Sequence, residues 1–396
     1  MTPETLAAAT ALLRRATGHP VQALDARLIR RGGRSTVWRC RVGGAPGGAG
    51  APPTVIVKAL APDSPLGLTD LATLEFLGDR ADTAALVPAV VGGDAAARVV
   101  VLEDLGATGT LDSRLSASGD GAAPAAARAG VALAAQYARL HVATAGREGA
   151  FAAACARLPG ATPEGREAEA ARWVKGLDRT REWLAAAGCA EPQGLAELGA
   201  RVADVYAAPG AYLTLTHGDP APTNAHVGAS PDDVRLLDFE YAAYRHAFYD
   251  LTAWAVLCPL PEPLLAAMRR RYLALLSPAF PAAADAAAAG AAWGAMATFR
   301  ALAVLSWISV HTVDRNGPWV GDWTRREAVL AALDRLERAT AGTAALAPAT
   351  ALARTLGERL RVRWPEQHAG DTAPRWPAFG AAGGAGQRER PPGRTG

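Results

Sequence analysis

Apolar positions fall into two regimes along this chain. Up to about residue 104 most come in short runs broken by glycine, proline and polar clusters; beyond it they recur mainly at helical spacing over long stretches. Leu6 to Arg15 is an early helical pattern, closed by Arg14-Arg15, whose charge suits a helix C-terminus. Ala26–Arg30 and Val37–Val42 read as strands joined by Arg31-Gly32-Gly33-Arg34-Ser35-Thr36, a turn whose glycines let the backbone approach another group closely. Thr54–Leu60 is a β-branched third strand. Pro88–Val91 and Arg98–Leu102 make two more around a Gly92-Gly93-Asp94 turn. Between these, Thr69 or Asp70 caps a helix reaching about Arg80, while Gly43–Pro53 is an exposed Gly/Ala/Pro connection.

Helical patterns then cover Ala123–Ala145, Glu167–Ala187 and Gln193–Ala208. Two strands follow, Tyr212–Thr216 and Val234–Leu237, before helices at Leu251–Leu257, Pro263–Leu276, Ala283–Val310, Thr324–Thr340 and Ala349–Arg363. The expectation is an α+β chain: a small antiparallel sheet lobe with one helix over residues 1–104, then a larger, mostly helical lobe over 105–370. From residue 371 to 396 the composition collapses to Ala, Gly, Pro and Arg, which predicts a disordered tail. Ala286–Val310 is the most hydrophobic stretch, but Arg300 interrupts it. A membrane span wants roughly 20 apolar residues without a central charge, so a buried core helix or helix pair is the better reading.

Composition narrows the classes. At 396 residues, two or three domains of roughly 150 residues are possible. Lys plus Arg number 41 against 38 Asp plus Glu, and a net +3 spread along the chain is no nucleic-acid footprint. The four cysteines, Cys40, Cys155, Cys189 and Cys258, form no Cys-x-x-Cys pair, which argues against a disulfide framework or structural zinc and fits a reducing compartment. Met1-Thr2-Pro3-Glu4 carries no basic segment ahead of its apolar residues, so a cytoplasmic protein is expected, with no membrane or nucleic-acid partner. Oligomeric state has no signature.

Candidate chemistry concentrates between Tyr212 and Asp250. One strand delivers His217-Gly218-Asp219-Pro220-Ala221-Pro222-Thr223-Asn224, and the next delivers Asp238-Phe239-Glu240. Two acids and an amide at the ends of two β-segments can hold a hydroxyl beside a metal-bound phosphate, the requirement of phosphoryl transfer. Upstream, Lys58 sits among residues that want burial. It is either an edge-strand lysine facing water or one paired with Glu75 and held for nucleotide phosphates. Leu102-Glu103-Asp104-Leu105-Gly106 is either an ordinary linker or a hinge whose backbone, at Glu103 and Leu105, bonds an adenine edge.

Taken in order, the Gly-rich turn, strand lysine, helix glutamate, His-Gly-Asp with its asparagine and Asp-Phe-Glu resemble the aminoglycoside phosphotransferase and choline kinase group of small-molecule kinases, over roughly Leu28 to Leu251. The resemblance implies a two-lobed protein-kinase-like fold and an ATP-dependent phosphotransferase acting on a hydroxyl of a small molecule. It implies Asp219 as catalytic base, with Asn224 and Asp238 holding Mg2+. Lys58 would meet the nucleotide phosphates, oriented by Glu75, beneath the backbone of Gly32, Gly33, Arg34, Ser35 and Thr36. His217 and Asp250 would support the loop. ATP is the expected donor, GTP being compatible with the same residues. The chain departs from the pattern at Thr223, where glycine is common, and at Ala225-His226, where two aliphatic residues are commoner.

Two rival readings use the same residues. A hydrolase metal site could draw on His217, Asp219, His226, Asp238 and His246, but it leaves Lys58, Glu75 and the turn without a task. A non-catalytic nucleotide binder shares every motif, although nothing needed for catalysis is missing. For the small hydroxylated substrate two surfaces compete. Glu262, Asp314, Asp322 and Glu327 could meet a polycation; Tyr244, Trp254, Trp307, Trp319 and Trp323 could cage a choline-like quaternary ammonium, or pack in the core.

Overall fold

The structure, a computed structural model, describes residues 1–44, 52–62, 64, 66–320, 323–367 and 376–380. Its first part comprises α1 (Pro3–Thr17), β1 (Gln22–Arg31), β2 (Ser35–Gly43), β3 (Thr54–Leu60), α2 (Leu66–Gly78), α3 (Ala81–Ala84), β4 (Val90–Asp94) and β5 (Val99–Glu103). The five strands form one antiparallel sheet in the order β1-β2-β3-β5-β4. Strand alternation sorts their side chains. Val55, Val57, Val99 and Val101 join Ala9, Leu12 and Leu13 of α1 in one core, while Leu60, Val100 and Leu102 cluster with Leu68, Leu71 and Leu74 of α2. A helix therefore covers each face.

Gly92 and Gly93 lie inside β4, and the turn falls at residues 95–98 instead. The reason is close packing from both sides: a Cβ on Gly92 would meet Leu12 at 3.0 Å, and one on Gly93 would meet Leu71 at 2.5 Å. Helix α2 begins earlier than expected, so Thr69 and Asp70 are buried inside it.

The second part contains α4 (Leu111–Leu115), α5 (Ala122–Thr144), α6 (Glu148–Ala156), α7 (Arg166–Ala186), α8 (Leu195–Ala207), β6 (Leu213–Thr216), β7 (Ala225–Val227), β8 (Val234–Leu236), β9 (Ala243–His246), α9 (Tyr249–Leu257), α10 (Glu262–Leu276), α11 (Ala286–Trp307), α12 (Arg325–Thr340) and α13 (Ala347–Arg363). The two expected strands do not pair with each other. Each closes with a neighbour too short to read from the sequence, β6 with β9 and β7 with β8. Leu237 N donates to Asn224 O at 2.8 Å just beyond the β7–β8 pair.

Helix α11 is long and apolar enough to cross a membrane, yet most of it is buried against α7, α9 and α12. Asp285 caps it by accepting from Ala287 N and Ala288 N. Of the expected tail, residues 376–380 form a short 3-10 turn with Trp376 buried, packed on α4 and α5; the rest, like Asp322 and most of the Gly43–Pro53 connection, lies outside the described residues.

Candidate active site

Lys58 sits on central β3, flanked by β2 and β5, and shares its face with Ile56 rather than with the valines under α1. That register points its amine toward α2 and a cleft of about 690 Å³. Nζ donates to Asp70 Oδ2 at 2.8 Å and to Asp238 Oδ1 at 2.6 Å. Burial alone would depress the lysine pKa, but the two carboxylates outweigh it and hold the ammonium above its ordinary value. Burial likewise pushes Asp238 up, and Lys58 reverses it, leaving the acid below the usual range.

Asp70, not Glu75, is the helix partner. The two positions are five residues apart, about 140° around the helix, so one side chain facing the strand excludes the other. Glu75 is instead raised in pKa by burial, with Arg157 opposing. Asp70 Oδ1 also accepts from Phe239 N at 2.7 Å, so one carboxylate fixes both the lysine and the backbone beyond Asp238. Asp238 itself has φ +65, a left-handed conformation that a non-glycine residue adopts only when its surroundings impose it.

Of the Gly-rich segment, Ser35 lines the cleft, whereas Thr36 belongs to β2 on the opposite face, in phase with Trp38 and Cys40. Gly32 N donates to Ser35 O at 2.9 Å, closing the turn, and a Cβ on Gly33 would meet nothing within 4 Å. Arg34 reaches across to the helical lobe. Its guanidinium pairs with Glu240 at 2.6 Å and donates to Tyr241 Oη at 2.7 Å.

At the far end of the cleft, Glu103, Asp104, Leu105 and Gly106 form a wall. Glu103 Oε2 accepts from Ala89 N at 3.0 Å, while Arg39 grips Asp104 through two hydrogen bonds of 2.7 and 2.9 Å. His226 lines the same wall, its Nε2 3.2 Å from Thr108 Oγ1, and burial lowers its pKa.

The loop after β6 is braced from below. Asp250, fully buried at the start of α9, accepts from His217 N at 2.8 Å and Gly218 N at 3.0 Å. Its pKa would rise with burial, but the bond from His141 Nε2 at 3.1 Å and the backbone donors push it down to about 2. His217 faces an acceptor, Leu237 O at 2.7 Å from Nε2, and a donor, Asp219 N at 3.3 Å from Nδ1. Those partners require the neutral Nε2–H tautomer. Gly218 has φ +87, and a Cβ there would stand 2.0 Å from Tyr241 O. Asn224 Nδ2 donates to Asp219 O at 3.0 Å and Oδ2 at 3.1 Å, which orients the Asp219 carboxylate, while the amide oxygen accepts from Thr223 Oγ1 at 3.3 Å and keeps a second lone pair for another ligand.

Asn224 Oδ1 and the Asp238 carboxylate therefore supply a hard, oxygen-only donor set, which suits Mg2+. The rival metal set does not assemble: His217 is committed to backbone, His246 accepts from Phe248 N, and no group of three His, Cys, Asp or Glu suited to a metal occurs among the described residues. The substrate candidates also separate. Tyr244, Trp254 and Trp323 are core residues, Trp319 is half-buried and Trp307 is 52% exposed. Glu262 pairs with Arg338, Asp314 with Arg326, and Glu327 closes the capping box of α12.

Sequence reasoning read Asp70 only as a possible helix cap and gave His141 and Arg39 no role. Asp70 had one faint signal, its place in the helix after the lysine strand; the other two act through contacts 65 and 109 residues away.

A family model described as a phosphotransferase enzyme family matches residues 71–288, a span that holds Asp219, Asn224, Asp238 and Asp250. No curated protein matches the chain. Among solved structures, a choline kinase from Streptococcus pneumoniae is 15% identical, with 80% of this chain and 92% of that one covered and a TM-score of 0.45. A Plasmodium vivax ethanolamine kinase is 11% identical, covering 81% and 82%, at 0.47. An aminoglycoside phosphotransferase from Alicyclobacillus acidocaldarius is 13% identical, covering 91% and 97%, at 0.43. Likenesses this distant carry no argument about substrate.

Proposed function

Because this chain belongs to the phosphotransferase enzyme family, we propose that it moves the terminal phosphate of ATP to a hydroxyl of a small molecule at the cleft between the sheet and the helical lobe. The observation that carries this reading is the convergence of Lys58, Asp70 and Asp238 in one buried ion cluster at a cleft that Asn224 also lines.

Asp219 takes the base role. Its carboxylate is half-exposed beside the buried loop, and Asn224 holds one oxygen, leaving the other to orient an attacking hydroxyl and accept its proton. Asn224 and Asp238 hold magnesium, which when bound neutralises charge on the phosphate oxygens. Lys58, kept protonated by its two carboxylates, presents a fixed positive charge to the nucleotide phosphates. Ser35 lines the cleft from the turn, and the Glu103–Gly106 wall offers backbone groups to the base. The residues near 104 serve as the hinge between lobes 1–104 and 105–370.

The reading is tested with Asp219→Asn. Phosphoryl transfer from ATP, screened across hydroxylated amines, sugars, amino alcohols and aminoglycosides, should fall by roughly 10³-fold or more, since the general base and its orienting role are both lost. ATP binding by calorimetry should persist. Turnover retained in that variant would remove Asp219 from the role.

A further inference from the structure

A second pocket, of about 230 Å³, opens between α7 and α11 and shares no lining residue with the nucleotide cleft. Trp173 and Phe299 form its apolar wall, stacked at 5.1 Å and 10°, and Trp307 stands at its rim. Arg300 lines it from the middle of α11, although only 5% of the residue is exposed. Nε donates to Tyr249 O at 3.2 Å and the guanidinium carbon lies 3.5 Å from the centre of the Tyr249 ring. Nη2 has no hydrogen-bond partner, and Arg300 is in no ion pair among the described residues.

The local charge does not balance. Arg245, also buried, faces the same tyrosine ring at 4.9 Å and takes the one nearby carboxylate, Glu169, at 2.9 Å. Tyr249 Oη occupies the other Glu169 oxygen at 3.0 Å, and Arg172 at the pocket edge is paired with Glu164. The single Glu169 carboxylate is thus taken up by Arg245 and Tyr249, and Arg300 is left without a counter-ion among the described residues. A buried cation without a counter-ion is costly, and a tyrosine face and one carbonyl offset only part of that cost.

We propose that this pocket binds the anionic end of a small organic molecule, a carboxylate or phosphate monoester on a flat apolar body, with Arg300 as its counter-ion. The planar guanidinium suits either group, and the aromatic wall suits the body. The volume accommodates one end of a ligand rather than a whole nucleotide. The binding does not rest on the phosphoryl-transfer reading.

The full chain, with the nucleotide cleft filled by a non-hydrolysable ATP analogue, is titrated calorimetrically with benzoate, phenyl phosphate and benzyl alcohol. Both anions should bind at one site, at least about tenfold more tightly than the alcohol, and Arg300→Gln should remove that preference. Gly176→Leu guards against a folding artefact. Its Cβ meets nothing closer than Ser306 Oγ at 3.6 Å, leucine favours a helix over glycine, and the longer side chain fills the pocket. This variant should melt as the parent does and lose anion binding. Benzyl alcohol binding as well as benzoate, no binding of either anion, or undiminished binding in Gly176→Leu would each overturn the proposal. With 4-(hydroxymethyl)benzoate, ATP and magnesium, a phosphorylated product places the anion on the substrate. Binding without turnover places it on a separate ligand.

Discussion

At the residue scale, the ion cluster of Lys58, Asp70 and Asp238 decides how the two lobes meet. Removing Asp70 strips the buried ammonium of one partner and leaves Phe239 N without an acceptor. Asp70→Ala should therefore cost about 3 kcal/mol in urea unfolding and weaken nucleotide binding, because a buried charge is left short of compensation. Glu75→Gln should leave stability unchanged or raise it slightly, since burial already disfavours its charge. Equal losses in the two variants would return Glu75 to the lysine's side. The sequence announced a buried strand lysine with an acid on the next helix. It did not announce which acid, because choosing between residues 70 and 75 needs the rotational phase of α2, and that helix is apolar on nearly all sides.

At the element scale, short pieces hold the loop that carries Asp219 in place. β6 and β9 fix one end of it, and β7 and β8 fix the other. Four-residue and three-residue strands carry almost no sequence signal, so only two of the four were legible. The turn at 376–380 is a comparable case. It lies in a compositionally poor tail, yet Trp376 and Ala378 dock on α4 and α5, and α4 abuts the turn that carries Asn224. Trp376→Ala should destabilise the protein by about 3 kcal/mol, the cost of emptying a buried tryptophan site. An unchanged urea midpoint would show that the docking contributes nothing.

At the scale of the whole molecule, buried titratable groups under the loop make stability depend on acid. His246 is fully buried, and burial with the nearby His141 lowers its pKa to about 3; Asp250 is held near 2. Both are depressed below their unfolded values, so each contributes stability that is present above the unfolded pKa and lost as pH falls. His246 acts first, from about pH 6.5 downward, and Asp250 adds its loss below about pH 4. Between pH 7 and 4 the histidine contribution is on the order of 3 kcal/mol. His246→Asn, which can still accept from Phe248 N, should flatten urea stability across that window; an unaltered pH slope would refute the assignment.

The sequence by itself determined the order of the candidate site residues along the chain, the change from sheet to helix near residue 104, and the burial of α11, because these rest on residue type and periodicity along a continuous segment. Tertiary structure alone decided the rest. Asp70 as the lysine's partner, Arg39 on Asp104, His141 beneath Asp250 and Arg34 on Tyr241 all join segments 12 to 207 residues apart in sequence. The same holds for the pocket at Arg300, where α7, β9 and α11 bring two buried arginines and one carboxylate into the same neighbourhood. A local pattern states what a side chain can do; which partner it meets depends on the packing of elements whose separation along the chain carries no record of their distance in space.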